Sequence, residues 1–278
     1  MESGVRRWLV DISKWNPSEE RFEFLASSLL PPHERPAITR FVKFEDRKRA
    51  LVSRLLQYSV VHEVFGIPFE KITIHRTIEG KPYLVLFDWK YEENTLFPCF
   101  NFNTSHHGDY VGIASEQLCL VGLDIVSVRK PQKETALEFI KNFSSYFTIL
   151  EWWNIVHAGS SDAVLTEFYR CWCLKEAYIK AIGAGVGFGL QRLEFRDTKC
   201  TDITVYIDGA ESREWKFSLF EIDESHLASV AKGHPKESVE SYQRTLAKVD
   251  FEEEEYQYTL RLPEQGFILR TVEQLIPK

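Results

Sequence analysis

The segment 165–182, LTEFYRCWCLKEAYIKAI, limits the fold more than any other stretch of the chain. Leu165, Phe168, Tyr169, Trp172, Ile179 and Ile182 recur every three to four residues, so the segment is an amphipathic helix with one side on a core. Trp172, Glu176 and Lys180 stand at i, i+4 and i+8 and share one stripe of that helix. A Glu–Lys pair at this spacing is ordinarily a solvated surface pair, contributing about 0.2–0.5 kcal/mol. Here the stripe also carries a large aromatic, and Lys175 is expected to add a second cation beside Glu176. The stripe is therefore read as lying at a core edge.

Two upstream segments give that stripe its counterparts. Residues 119–126, CLVGLDIV, read as a strand in which Val121, Leu123 and Ile125 alternate with Gly122, Asp124 and Val126. Asp is disfavoured in strands and seldom buried without a partner. Either Asp124 makes a local backbone turn at the strand end or a cation holds its charge. Mg²⁺ takes a few carboxylates, several waters and substrate phosphate oxygens, a set that Asp124 and Glu176 fit. In 102–110, FNTSHHGDY, the apolar run 96–102 meets a turn at Gly108, so Asn103, Ser105, His106 and His107 sit where two strands approach a turn. Neighbouring strand residues face opposite ways, so His106 and His107 do not share a ligand. Either His is a satisfied structural residue or it belongs to a site. Two carboxylates for a metal and a lysine for phosphate point to phosphoryl transfer.

On these residues the chain resembles the 4′-phosphopantetheinyl transferases of the large, single-chain surfactin-synthetase type. More narrowly it resembles the eukaryotic group acting on fatty-acid synthase and aminoadipate-reductase carriers. The family signature G-x-D stands as Gly122-Leu123-Asp124. Some fifty residues on, W-x-x-K-E-[AS]-x-x-K stands as Trp172 through Lys175-Glu176-Ala177 to Lys180. The upstream elements RTIEGKP (76–82) and NFNTSHHGD (101–109) are present, as is the downstream GAGVGFGLQRLEF (183–195). The resemblance runs from residue 35 to residue 230 and rests on long, ordered motifs.

The resemblance implies an α+β fold of two similar α/β subdomains, related by a pseudo-twofold, with the active site at their interface. It places an N-terminal subdomain at 1–121 and a C-terminal one at 122–278, the latter carrying the metal site and a C-terminal extension. It implies transfer of the 4′-phosphopantetheine arm of coenzyme A to a serine of an apo acyl or peptidyl carrier protein, releasing 3′,5′-adenosine bisphosphate. Mg²⁺ would be held by Asp124 and Glu176. The catalytic residues would be Glu176, a base for the serine directly or through water, and Lys180, which would stabilise the departing phosphate. Coenzyme A would be bound by Arg49, Arg76, Gly80, Lys81, Asn103, Ser105 and His106, together with Asp124, Glu176 and Lys180. Arg47, Lys48 and Arg49 all lie in the family helix at 41–56, and the sequence does not choose among them for the nucleotide. One departure stands out. Many relatives have G-x-D-x-E, whereas Val126 occupies the last position here. An apolar side chain cannot ligate, so water is expected to fill that place, as in eukaryotic relatives that also carry apolar residues there. Glu151, in FTILEWW (147–153), matches a family F-x-x-x-E-[WY] motif and would either assist the serine or organise water.

Two other classes compete. One is a non-catalytic module that binds carrier or coenzyme A, supported only by Val126. The other is a different Mg²⁺-dependent nucleotide enzyme such as a kinase, but the chain has neither a P-loop nor an H-R-D set.

Composition adds bounds. With 44% hydrophobic residues, 278 residues can bury one large core or two modest ones. Five cysteines is an odd count, and Cys171 and Cys173, two apart on a helix, make a poor zinc pair. Reduced thiols of an intracellular protein are the simpler reading. The start, MESGVRRWLV, has no signal-peptide apolar region, and no apolar run is long enough to span a membrane. A cytoplasmic monomer is expected, a mitochondrial one being compatible, without nucleic-acid or membrane partners. The net charge of −7 would repel an acidic carrier, so docking needs a basic face. Arg35, Arg40, Lys43, Arg47, Lys48, Arg49 and Arg54 offer one. Asp250 and 252–255 read as a solvated acidic stretch. Helices are expected over 46–65, 133–155 and 162–182. Strands are expected in 72–86 and 98–126 and at 203–207, 215–222 and 227–231, with a loop at 233–241. Gly183, Gly185, Gly187 and Gly189 follow a helix, unlike a dinucleotide fingerprint.

Overall fold

The computed structural model describes residues 4–85, 97, 99–196, 198 and 203–277, the Val186 side chain aside. Leu86 and Pro98, the expected strand ends, and Cys200 lie outside the described residues. In chain order the first half holds β1 (Arg6–Asp11), α1 (Glu19–Ser28), α2 (Arg35–Thr39), α3 (Phe44–Phe65), β2 (Ile74–Arg76), β3 (Pro82–Leu84), β4 (Asn101–His107), β5 (Tyr110–Glu116) and β6 (Leu120–Ser127). The second half holds α4 (Ala136–Lys141), α5 (Ile149–Val156), α6 (Ser161–Ile182), β7 (Leu193–Arg196), β8 (Thr204–Ile207), β9 (Ala210–Ser212), β10 (Trp215–Asp223) and β11 (His226–Gly233). The tail adds α7 (Glu240–Gln243), α8 (Glu253–Arg261) and β12 (Ile268–Leu269).

The α+β class expected from the sequence is what the chain adopts, and its halves share a plan. In each, one helix of 22 residues lies on a sheet. α3 packs on β4, β5 and β1; α6 packs on β6, β11 and β10. The sheets run β12-β1-β5-β4 and β10-β11-β6. Leu51, Val52, Leu55 and Leu56 of α3 meet Trp8, Phe102, Val111 and Ile113. Leu174, Ala177 and Ala181 of α6 meet Leu120, Phe217 and Ala231. Burial of each large aliphatic contributes about 1.5–3 kcal/mol, so tertiary packing holds these helices.

A side-chain ladder joins the two sheets. Along β4, every second side chain accepts a hydrogen bond from β6. Asn101 Oδ1 takes Val121 N at 2.9 Å, Asn103 Oδ1 takes Leu123 N at 2.9 Å, Ser105 Oγ takes Ile125 N at 3.0 Å and His107 Nδ1 takes Ser127 N at 3.2 Å. The strand period of two puts all four on one face of β4. They satisfy N–H groups that β6, paired to β11 along its other edge, would otherwise leave bare.

Two expectations are corrected. Residues 133–155 do not form one helix; α4 and α5 are separate, and each opens on a capping box, Thr135 with Glu138 and Thr148 with Glu151. A Thr followed three residues on by Glu satisfies the free N–H groups of a helix start, so the second box begins a new helix. The region 233–241 is not all loop: β11 runs through Gly233, a 3₁₀ turn covers Pro235–Glu237 and α7 begins at Glu240. The basic stretch is largely occupied. Arg35 pairs with Glu23, buried Lys48 with Glu45, Arg49 with Asp46 and Arg54 with Glu34, while Arg47 lies over the rings of Phe22 and Phe44.

The tail packs back on the body. The acidic residues 253–255 form the first turn of α8, where the helix dipole favours carboxylates. Tyr256 and Leu260 bury against Cys119. β12 pairs in parallel with β1. The sequence division at 121/122 falls within β6, and the tail contributes a strand to the sheet of the first half.

Candidate active site

The site begins with a close approach. A Cβ on Gly122 would lie 1.9 Å from the Ala177 carbonyl oxygen and 2.5 Å from Ala181 N. Only glycine lets α6 press this closely on β6, and that contact sets Asp124 opposite the last turns of α6. Lys180 Nζ reaches Asp124 Oδ1 at 2.6 Å and Ser105 Oγ at 3.0 Å, and Ser105 Oγ lies 3.1 Å from Asp124 Oδ1. Asp124 thus sits within β6, where its charge is met by a lysine and a hydroxyl. Lys180 pairs with Asp124, not with Glu176 one turn away. The Lys180 ammonium is depressed by burial but held above its ordinary value by Asp124 and Glu176.

Glu176 lies one turn before Lys180 on the same stripe and makes no hydrogen bond to a described residue. Burial and the Asp124 charge push its carboxyl above the usual range, with Lys180 opposing. A carboxylate at a cavity wall, with the charge of a second close enough to raise it, fits a hard dication with oxygen ligands. No described group of three or more His, Cys, Asp or Glu is placed to hold a metal. Val126 is buried against Cys173 and Leu227 and offers the pair no third oxygen.

A cavity of about 460 Å³ opens beside Glu176 and Lys180. Arg76, Gly80, Lys81 and Asn103, all expected at the coenzyme, line it, and Trp172 and Tyr146 form an aromatic wall. Gly80, at φ +93, makes the turn between β2 and β3, a backbone that other residues rarely adopt. Ser105, His106, Asp124 and Arg49, also expected there, are not among its lining residues; Ser105 and Asp124 reach it through Lys180. Arg49 donates through Nε and Nη2 to the Gly108 carbonyl at 2.9 and 2.6 Å, bracing the turn that carries His106.

The cations crowd one another. Partial burial, then Arg54 and Arg40, pulls Arg76 down to about 10. Burial, with Lys180, takes Lys81 to about 7. His106, though it faces solvent, is pulled to about 4 by its desolvated surroundings, Lys180 and Arg49. Basic groups held down by burial and by neighbouring cations, as Arg76 and His106 are, are suited to a polyanion, whose arrival would favour their charged forms.

Two sequence assignments take different places. The Lys81 ammonium is buried and donates to Val121 O at 3.0 Å and to Lys180 O, with the Tyr242 ring 4.6 Å away. The ammonium braces β6 and α6, although the residue is part of the cavity lining. Lys175 is not beside Glu176 but points into the core. There it pairs with Glu151 at 2.7 Å and donates to Leu190 O and Leu193 O. Glu151 accepts from Phe195 N at 2.9 Å and from Thr148 N at 3.0 Å. Burial works against both charges, pushing Glu151 up and Lys175 down, and their mutual contact opposes it. Glu151 therefore anchors α5, β7 and α6, away from the cavity. Sequence reasoning missed the ladder partner Asn101; the alternation Asn101, Asn103, Ser105, His107 was its signal.

Comparison with known proteins agrees. The family model described as 4′-phosphopantetheinyl transferase, N-terminal, matches residues 13–118, and that of the 4′-phosphopantetheinyl transferase superfamily matches 120–231. The chain is 37% identical over 237 residues to the human L-aminoadipate-semialdehyde dehydrogenase-phosphopantetheinyl transferase, covering 82% of this chain and 75% of that protein. It is 36% identical over 239 residues to a phosphopantetheinyl transferase of Thraustochytrium, covering 84% and 80%. It is 28% identical over 163 residues to a 4′-phosphopantetheinyl transferase of Bacillus pumilus, covering 59% and 62%.

Proposed function

Because the chain belongs to the 4′-phosphopantetheinyl transferase family, we propose that the cavity beside Glu176 and Lys180 is where coenzyme A gives up its phosphopantetheine arm to a carrier-protein serine. The observation that carries this placement is the pairing of opposites in one cleft. Arg76 and Lys180 line the cavity together with Glu176, and Asp124 meets Lys180 at 2.6 Å. A nucleotide pyrophosphate with a divalent ion needs both.

The bond changes are simple. The serine oxygen forms a new bond to the phosphorus that carries the pantetheine. The P–O bond to the adenosine-side phosphate breaks, and the serine proton leaves for a base. Glu176 is the residue for that proton, since its raised carboxyl can hold one. Lys180, shared between Asp124 and Ser105, is placed to neutralise the charge gathering on the leaving phosphate. Arg76 and His106 hold the nucleotide end, and the Arg49 brace on Gly108 keeps His106 in place. Asp124 and Glu176 would hold Mg²⁺, which would supply charge neutralisation of the pyrophosphate.

An acidic acyl or peptidyl carrier, a monomeric enzyme and a cytoplasmic location complete the proposal. No described helix is long and apolar enough to cross a membrane. The test is isothermal titration of coenzyme A with and without Mg²⁺. Affinity should weaken at least tenfold in Arg76→Ala, and the Mg²⁺ dependence should vanish in Glu176→Ala. Unchanged binding in both would place the site elsewhere.

A further inference from the structure

The turn next to His106 is gripped from both halves of the chain. Gly108 and Asp109 join β4 to β5, with His107 paired to Tyr110 at the end of the hairpin. From the first half, Arg49 donates to the Gly108 carbonyl, and Ile12 N donates to the Asp109 carbonyl at 2.8 Å. From the second half comes the ring of His226, the first residue of β11 and 2% exposed. A Cβ on Gly108 would lie 2.2 Å from His226 Nε2, and Gly108 stands at φ +57. Glycine lets the ring fill the place a side chain would take. Asp109 N donates to the same Nε2 at 3.5 Å, and the Tyr110 ring meets the imidazole edge-on at 4.9 Å.

The surroundings fix the proton on this ring. Nδ1 lies 3.0 and 3.2 Å from the two carboxylate oxygens of Asp223. A carboxylate can only accept, so Nδ1 carries the hydrogen and Nε2 keeps a lone pair for Asp109 N. Asp223 stays ionised. Burial works against its charge, but hydrogen bonds from Ser225 N, at 2.7 Å, and from His226 hold it down to about 2. β11 is already paired along both edges, with β10 and with β6. The Nε2 lone pair is therefore committed to the turn and not to the sheet that carries it. The turn in turn begins two residues after His106.

We infer that His226, oriented by Asp223, is a positioning residue for the transfer reaction: from the second half it holds the Gly108–Asp109 turn so that His106 meets the phosphates of coenzyme A. This rests on the placement of coenzyme A beside Glu176 and Lys180, and the test separates the two.

The experiment uses the full chain with Mg²⁺. Coenzyme A is titrated calorimetrically into wild type, His226→Ala, His226→Gln, Asp223→Ala, the double variant His226→Ala/Asp223→Ala, and Val230→Ala. Rates with an apo-acyl carrier protein are measured for each. Val230 lies farther along β11, buried against Leu9 and Leu123, so its variant reports lost packing alone. His226→Ala should weaken coenzyme A binding about tenfold, the scale of misplacing one hydrogen bond to a charged group. Its kcat at saturating coenzyme A and its carrier KM should stay near wild type. His226→Gln, whose amide oxygen can accept from Asp109 N, should recover most of the affinity. Asp223→Ala should shift binding in the same direction as His226→Ala. The double variant should bind no more weakly than His226→Ala, because Asp223 acts through the ring. Coenzyme A affinity that is unchanged in His226→Ala, or lowered no further than in Val230→Ala, overturns the positioning role and leaves the site intact. Where His226→Ala fails to fold, Asp223→Ala takes its place, and unchanged affinity there overturns the role. A wild type that binds no coenzyme A overturns the site itself.

Discussion

At the scale of single residues, the account turns on Lys180. If it were only the partner of buried Asp124, its loss would cost stability, about 3–5 kcal/mol for a broken buried pair, and leave the chemistry of the folded fraction alone. As a contact to the leaving phosphate, Lys180→Met should lower kcat by about 10²-fold or more, the effect of removing one preorganised electrostatic donor. Methionine is a good helix former of similar length, so the helix should persist; Asp124 loses its cation, so the melting temperature should fall and kcat is read on the folded fraction. A stable, fully active variant would remove Lys180 from the chemistry. His106 gives a second reading at this scale. Its pKa of about 4 lies below that of an unfolded chain. Its contribution to stability is therefore fully present above the ordinary histidine range and is lost as pH falls through that range toward 4. Titrated by NMR, the free protein should show His106 neutral down to that region, and coenzyme A should raise the pKa by answering Lys180 and Arg49. A ring that titrates normally and ignores coenzyme A would not face phosphate.

At the scale of elements, the β6–α6 contact is the site's scaffold. Gly122→Ala places a methyl against the Ala177 carbonyl. The helix must retreat, so both stability and turnover should fall. Normal turnover in that variant would mean the close approach is not needed. The Glu151–Lys175 pair is a second tie. Glu151→Gln leaves a buried ammonium without its carboxylate, at about 3–5 kcal/mol in chemical denaturation. The folded fraction should keep most of its kcat. Loss of turnover at unchanged stability would instead put Glu151 on the serine. Much of this was legible in the sequence. The 3.6 period of 165–182 and the alternation of 119–126 placed Asp124, Glu176 and Lys180 on the right elements, because periodicity is local. The inward turn of Lys175 and Lys81 was not legible. Whether a lysine meets a distant carboxylate or carbonyl depends on packing between elements far apart in the chain. The break between α4 and α5 was readable from Thr148 and Glu151, but the apolar run around them masked it.

At the scale of the molecule, the tail bolts the two halves together. Glu264 lies between Arg7 of β1, at 2.6 Å, and Lys232 of β11, at 3.0 Å, and Arg7 also holds Glu116. Glu264→Ala leaves buried Lys232 without its carboxylate and Arg7 with Glu116 alone, so it should cost about 3–5 kcal/mol. Differential denaturation against wild type measures it, and a change below about 0.5 kcal/mol, typical of surface positions, would show the tail to be ornamental. The family matches end at residue 231, so no sequence motif announced this role. The central claim is that Asp124, Glu176 and Lys180 act together on coenzyme A between these halves. Intact-mass spectrometry of an apo-acyl carrier protein incubated with coenzyme A, Mg²⁺ and either wild type or Glu176→Ala tests it most directly. The account predicts one phosphopantetheine arm added by wild type and none by the folded variant; equal modification by both would contradict it.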